Sequence, residues 1–306
     1  MEMSAELHVE PGLPILPFRV ISVFRGHLSS TAMPSFTHDR IEFFYQDTLR
    51  GVPFVFQHGL GGDVTQPFGL FRPPAWVRLI AFDARGHGRT EPLGEPEKLC
   101  FDVFATDLLA LLEHLKIERA IVGGISMGAA LALNFTLHFP ARVLGLVLSR
   151  PAWLDAPHPW NVHIFTLVSQ LMREHGREQG RALFLQTPEY RDALRQWPDV
   201  ANSLASQFEN PRAEISATKL ERIIHDTPSR DRREWSAIRV PTLVLANRLD
   251  PIHPFEFGEE LARRIPGAEF HEITAKSVSV ERHGADVQAR LESFLEAHFA
   301  PAPPAA

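Results

Sequence analysis

A single cysteine, Cys100, stands in 306 residues. One thiol cannot close an internal disulfide, and it excludes the zinc, haem and redox motifs built on several cysteines. A reducing, cytoplasmic setting fits that usage. Charge of one sign is also scarce: 37 acidic against 31 basic residues leave a net charge of -6 with no long run of either sign. No face for nucleic acid or for an anionic membrane surface is expected from such a balance. No stretch approaches the roughly 18 uncharged apolar residues of a membrane span. The beginning carries Glu2, Glu6 and Glu10 where an export signal wants positive charge, and Pro11, Pro14 and Pro17 interrupt the apolar stretch beyond them. Repeats at a fixed period are missing too.

What remains is an ordinary globular composition, 44% hydrophobic and 22% charged. Short apolar runs recur at residues 41–45, 53–57, 77–82, 119–124, 143–148, 241–246 and 268–273. Runs of this length, apolar on both faces, read as buried parallel strands. Between them the spacing turns helical. Phe104, Leu108, Leu111, Leu112 and Leu115 repeat behind Asp102 as a candidate N-cap, and Val287, Leu291, Phe294 and Leu295 repeat near the end. The alternation predicts an α/β fold, a mostly parallel twisted sheet with helices on both faces.

The rhythm breaks once. Residues 151–240 carry helical patterns such as Ile164, Val168, Leu171 and Met172 and no convincing strand, so they are expected to form a helical cap over the strand ends, where ligand sites of open sheets lie. Residues 33–150 and 241–298 would then form the core, residues 1–32 a loose leader with a weaker possibility of an edge strand at 19–24, and residues 299–306 a disordered tail.

Residues 123–128 read GGISMG, between a strand-like and a helix-like segment. Gly124-Ile125-Ser126-Met127-Gly128 fits G-x-S-x-G in the context that makes the pattern informative. A sharp strand-to-helix turn holds such a serine in a strained conformation, and residues without side chains let strand and helix approach closely. The segment QHGLGGD, Gln57 to Asp63, follows another strand. Its backbone N–H groups, with that of Met127, could stabilise an oxyanion. Asp250 directly follows the strand at 241–246 and could orient an imidazole, or cap a turn before Pro251. Asp83 competes as a carboxylate, but RGHG beside it reads as a tight turn held by an Asp–Arg contact.

Together these segments resemble the α/β-hydrolase superfamily, in its HG-x and G-x-S-x-G branch with a helical cap, over roughly residues 35–298. The resemblance implies that Leu60 donates the oxyanion N–H, that DARGHGRT (83–90) is a structural loop, and that Asp250 is the acid. It also implies a histidine a few residues past the last strand. There the chain runs Thr274-Ala275-Lys276-Ser277-Val278, with Ser277 or Val278 nearest the family position.

Two histidines could replace the missing one. His283 has the right chain order and falls at the first turn of the final helix, where a helix N-terminus would lower its pKa; it is the preferred base. His253, three residues after Asp250, is the alternative, Lys276 adds a possible amine base, and a site without a histidine base is the third reading. His58, His87, His158 and His271 read as structural or surface residues whose spacing forms no metal cage.

The expectation is therefore a cytoplasmic serine hydrolase cleaving a small or medium carboxylic ester or lactone through an acyl-enzyme on Ser126. It needs no cofactor or metal, acts on a small-molecule substrate, and could form a homodimer. Gly59, Trp153 and His253 are expected to contact substrate, with Trp160, Phe165 and Trp197 as further apolar lid surface and Arg150, His158 and Asn161 as polar contacts. The vacancy near Ser277 leaves a second reading, a non-hydrolytic member of the fold that binds a ligand or acts as a lyase or isomerase.

Overall fold

The computed structural model describes residues 34–157 and 159–301. The leader expected over 1–32 with its possible edge strand, most of the tail expected over 299–306, and His158 lie outside the described residues. In chain order the elements are β1 (Ser35–His38), β2 (Ile41–Asp47), β3 (Val52–Gln57), α1 (Thr65–Leu70), β4 (Val77–Phe82), α2 (Phe101–His114), β5 (Ala120–Ile125), α3 (Met127–His138) and β6 (Val143–Ser149). Then come α4 (Ile164–Phe184), α5 (Pro188–Gln196), α6 (Pro198–Ser206), α7 (Ala213–Ile223), β7 (Thr242–Ala246), α8 (Phe255–Arg264), β8 (Glu269–Glu272) and α9 (Val280–Phe299).

The strands form one sheet in the order β1-β2-β4-β3-β5-β6-β7-β8. β1 and β2 run antiparallel to their neighbours, and every pairing from β4–β3 to β7–β8 is parallel. Helices on both faces explain why the central strands are apolar throughout. Phe54 and Phe56 of β3 join Ile121, Val147, Leu243 and Leu245 in one cluster under Val287, Leu291, Phe294 and Leu295 of α9. Val55, one residue out of step, faces the opposite cluster with Val122, Leu146 and Val244, covered by α2 and α3. This is the period-two side-chain alternation of a strand buried on both sides.

All seven apolar runs form strands, and β1 adds one that the apolar pattern did not reveal. It is a short hairpin arm with one buried apolar side chain, Phe36, pairing His38 with Ile41 across a two-residue turn. Asp39 and Arg40 in that turn both have positive φ, 50° and 62°. Hairpin turns of this kind usually announce themselves by Asn-Gly or Gly. Here ion pairs from Arg85 and Lys98 to Asp39 hold the conformation instead, so no glycine marks it.

Asp102 does not cap α2. The N-cap is Cys100, Asp102 lies inside the first turn, and the Phe101 N–H donates to Asp226 Oδ2 at 2.6 Å, a cap supplied from a distant segment. Between β6 and β7 the described residues form α4–α7 and short 3-10 turns without a strand. Val162, Val168, Met172, Phe184, Phe208 and Leu220 from this insertion belong to the same apolar cluster as α2 and α3. The insertion is therefore anchored by apolar burial, not merely tethered at its ends.

Candidate active site

Ser126 sits between the C-terminal end of β5 and the first residue of α3 with φ 57° and ψ -111°. That backbone lies outside the ordinary regions for an L-residue and costs about 1–3 kcal/mol, so the surroundings must enforce it. They do so by close approach. A Cβ on Gly124 would lie 2.3 Å from the Gly128 carbonyl carbon, and one on Gly128 would lie 2.4 Å from Gln57 O. The Ser126 N–H donates to Ser149 O at 3.0 Å, tying the elbow to β6. Ser126 is buried at 8% exposure, enough to open only on a cavity.

The HGLGG segment forms a tight turn in which the Gly62 N–H donates to Gly59 O at 2.9 Å, with Gly61 at φ 80°. Such a turn needs glycine at its third position. Gly59 is fixed further, its N–H donating to Gln66 Oε1 at 2.7 Å. His58 accepts the Ala84 N–H on Nε2 at 3.1 Å and stands 2.9 Å from Gly59 O through Nδ1, which assigns the proton to Nδ1. Burial pushes this imidazole below its usual pKa, so it is a neutral brace behind the loop. Met127 opens α3, and its N–H is among the four that no carbonyl of the same helix reaches.

Asp83, with the DARGHGRT loop, is likewise structural: its carboxylate accepts the N–H of Val64 at 2.8 Å and of Arg89 at 2.8 Å. Arg89 meets this carboxylate through its backbone N–H. The guanidinium of Arg85 in the same loop goes to Asp107 and Asp39.

Asp250 follows β7 and gathers three partners. Its Oδ1 accepts the N–H of Ile252 and of His253, each at 3.2 Å, and its Oδ2 stands 2.8 Å from His253 Nδ1 and 3.2 Å from Arg150 Nη1. Burial works to raise the carboxyl pKa, but His253 and Arg150 outweigh it and hold the group below the usual carboxylate range. A carboxylate on Nδ1 places the proton there and leaves Nε2 as an acceptor. Nε2 is buried without a hydrogen-bond partner. Burial pushes the His253 pKa down, Asp250 opposes, and Arg150 and Lys276 add to the fall.

His283, the histidine preferred from the sequence, makes a different contact. It lies in the first turn of α9 as expected, but its Nδ1 stands 2.8 Å from Thr274 O, not against Asp250. Its Nε2 is buried and unpartnered. The pKa is lowered to about 4, by burial first and by Arg150 next, so the helix end is not the leading cause. The pairing expected between Asp250 and His283 is made by His253 because three residues of one turn span the distance, whereas His283 is held by the strand-to-helix connection at Thr274.

A cavity of about 680 Å³ opens over Ser126. Gly59, Leu60, Gln66, Ser126, Asp250 and His253 line its floor, while Trp153, Phe165, Val200, Leu204 and Ile252 give apolar walls. Arg150, Lys276, Asp199 and Ser203 complete it, and His283 is not among its lining residues. The Lys276 pKa is lowered to about 8, by the charge of Arg150 first and burial second. Gly59, Trp153 and His253 thus meet at the serine. Trp160 and Trp197 do not: Trp160 is 66% exposed, and both line a separate depression with Phe255 and Arg248. Asn161 is spent on the backbone, its Nδ2 donating to Ala152 O at 3.0 Å and Ile252 O at 2.6 Å.

Sequence reasoning passed over Gln66, Asp199 and Ser203, which come from α1 and α6 and carry no local motif. It named Arg150 as a lid contact but not as a partner of Asp250; its place at the end of β6, beside β7, was the available signal. Among the described residues no group of His, Cys, Asp or Glu could hold a metal ion, and no helix is long and apolar enough to cross a membrane.

A family model described as alpha/beta hydrolase fold matches residues 52–277. The chain is 30% identical over 248 residues to the AB hydrolase superfamily protein YisY of Bacillus subtilis, covering 76% of this chain and 87% of that protein. It is 26% identical over 238 residues to 3-oxoadipate enol-lactonase 2 of Acinetobacter baylyi, covering 74% of this chain and 81% of the relative. The crystal structure of the enol-lactonase from Burkholderia xenovorans superposes with a TM-score of 0.64 at 24% identity, covering 86% of this chain and 99% of that one, a likeness of fold. With a strained serine at a strand-to-helix elbow, a parallel sheet capped by helices and these matches along most of its length, the chain belongs to the α/β-hydrolase-fold family.

Proposed function

We propose that the protein is a serine hydrolase that cleaves a small or medium carboxylic ester or lactone through an acyl-enzyme on Ser126, with His253 as the base. The observation that carries this reading is the Asp250–His253 pair: Nδ1 lies 2.8 Å from the carboxylate, and the unpartnered Nε2 belongs to a residue lining the same cavity as Ser126. In this reading Ser126 Oγ attacks the carbonyl carbon and His253 Nε2 takes its proton, while Asp250 steadies the imidazolium. The N–H groups of Leu60 and Met127 receive the negative charge on the carbonyl oxygen. His253 then returns the proton to the departing alkoxide, and water releases the acid by the same steps in reverse. In a lactone the leaving hydroxyl stays tethered to the acyl chain.

Arg150 is paired with Asp250 at 3.2 Å, and Lys276 lines the same cavity with no ion pair to its ammonium among the described residues. A carboxylate or another anionic group on the substrate would meet the Lys276 ammonium there. The 3-oxoadipate enol-lactonases of Acinetobacter baylyi among the similar proteins support a lactone or ester as the scissile group. A single half-buried cysteine agrees with action in the cytoplasm.

The test is a fluorophosphonate probe with a panel of nitrophenyl esters and lactones, applied to the wild type, Ser126→Ala, His253→Gln and His283→Gln. Labelling lost with Ser126→Ala, and turnover lost with His253→Gln but kept with His283→Gln, is the expected pattern. Unlabelled wild-type protein would instead support a ligand-binding member of the fold. Loss of turnover in His283→Gln alone would move the base to the final helix.

A further inference from the structure

A second cavity, about 840 Å³, lies on the other side of the Gly59–Gly62 turn. Gly61 and Gly62 line it, whereas Gly59 and Leu60 line the cavity over Ser126. Its far wall comes from the connection between α6 and α7, with Ser206, Gln207 and Asn210, and from Arg212 and Lys219.

Lys219 is the unusual member. It sits on the inner face of α7 at 2% exposure. No hydrogen bond or ion pair to its ammonium occurs among the described residues, although it lines open space. A buried ammonium without a counter-ion is costly, and native folds normally supply a carboxylate. The carboxylates at this cavity do not serve. Asp63 Oδ1 accepts from the backbone N–H of Thr65 at 2.8 Å and from its hydroxyl at 2.5 Å, and Glu209 is exposed. Arg212 is matched elsewhere, by Glu91 at 2.7 Å and Gly88 O at 2.6 Å, and adds positive charge. The imidazoles of His58 and His87, whose ring centroids stand 5.0 Å apart, are both kept neutral by burial and contribute no anion. Burial first and Arg212 second lower the Lys219 pKa to about 7, with no carboxylate opposing them. The positive charge and the space are present, and no carboxylate is paired with the Lys219 ammonium among the described residues.

We infer that this cavity is a second binding site, distinct from the serine site, for a small oxyanion, a carboxylate or a phosphate, held by the Lys219 ammonium with Arg212 beside it. An anion there lets Lys219 keep its proton in a buried setting, which is a direct source of affinity. Asn210 stands in the same wall; its Oδ1 accepts the Arg212 N–H at 2.9 Å, which leaves Nδ2 to donate to a remaining oxygen.

The test measures binding, so it stands apart from the hydrolase reading. The thermal midpoint of the full chain is recorded at constant ionic strength as chloride is replaced by inorganic phosphate in one arm and by acetate in the other. The arm that raises it identifies the anion class, and a rise of about 2–4 °C is expected at anion concentrations far above Kd. Lys219→Met, which keeps the length of the side chain and removes the charge, should abolish the rise, and Lys219→Arg should retain it. A measurement on the wild type needs no variant to fold: by 13Cε-lysine NMR, the lysine that titrates lowest should move to higher pH in the effective anion. Equal midpoint rises in wild type and Lys219→Met, or no shift of that titration in either anion, would overturn the inference.

Discussion

His253 Nδ1 lies 2.8 Å from Asp250 Oδ2, a contact closed within one turn of chain after β7. In the family pattern that the sequence resembles, acid and base come from different loops, so their meeting depends on the whole fold. Here both ride on one loop, and Arg150 from the end of β6 holds the same carboxylate oxygen at 3.2 Å. The acid therefore has two donors on one oxygen, one of which would serve catalysis and one of which is a fixed charge.

If that pair works on Ser126, His253→Gln should lower kcat by about 10³ to 10⁴, the usual cost of losing a triad member. His283→Gln should cost less than about tenfold, since Asp250 does not touch it. Steady-state kinetics on one activated ester decide between them.

With His253 as the proposed base, the direction of its shift would set the pH profile. Burial and Arg150 disfavour the imidazolium, so the base stays free below the ordinary histidine value, and kcat/KM should hold its plateau to below about pH 6.5. Arg150→Met removes a cation that opposes protonation. The His253 pKa should rise, and the acid limb should move to higher pH; a limb that stays in place would show that Arg150 does not act on the base.

His283 bears on stability. Its folded pKa, about 4, lies below the 6.5 of a free histidine, so between those values the unfolded chain takes up a proton that the folded chain refuses. The contribution is complete above pH 6.5 and is lost as pH falls toward 4, about 3 kcal/mol in all. Urea unfolding of the wild type and His283→Gln across that window should give a flatter pH dependence for the variant.

Gly124→Ala and Gly128→Ala each force a Cβ to within 2.4 Å of backbone atoms, where no side chain can turn aside. Each should lower stability by more than about 3 kcal/mol or prevent folding. Gly69→Ala is the matching control, because nothing lies within 4 Å of its added Cβ. Circular dichroism melts of the variants provide the comparison.

Lys276→Met should raise KM for an ester carrying a carboxylate and leave a neutral ester of the same length nearly unchanged. An equal effect on both would mean that the lysine does not read substrate charge.

The fold was legible because its signals are local and periodic. Apolar runs mark the strands, helical spacing marks α2 and α9, and the glycines around Ser126 mark the elbow by steric need. β1 was not legible, since ion pairs to Asp39 replace the glycine that usually marks such a turn. The α2 cap was hidden for a similar reason: Asp226 stands far along the chain, and its role exists only once the segment after α7 lies against the start of α2.

By itself the sequence determined the family, the strained serine, the glycine turn beside it and the place of Asp250 after β7, because each is written in residues adjacent along the chain. Tertiary structure decided which histidine Asp250 meets, that Arg150 shares the carboxylate, that Trp153 lines the cavity while Trp160 does not, and that Lys219 is buried without a counter-ion. Those facts depend on distances between residues remote in sequence, set by how the cap and α9 pack on the sheet. Periodicity and spacing say which face of an element is buried, but a hydrogen bond or a missing counter-ion depends on what the packed neighbours bring to that face.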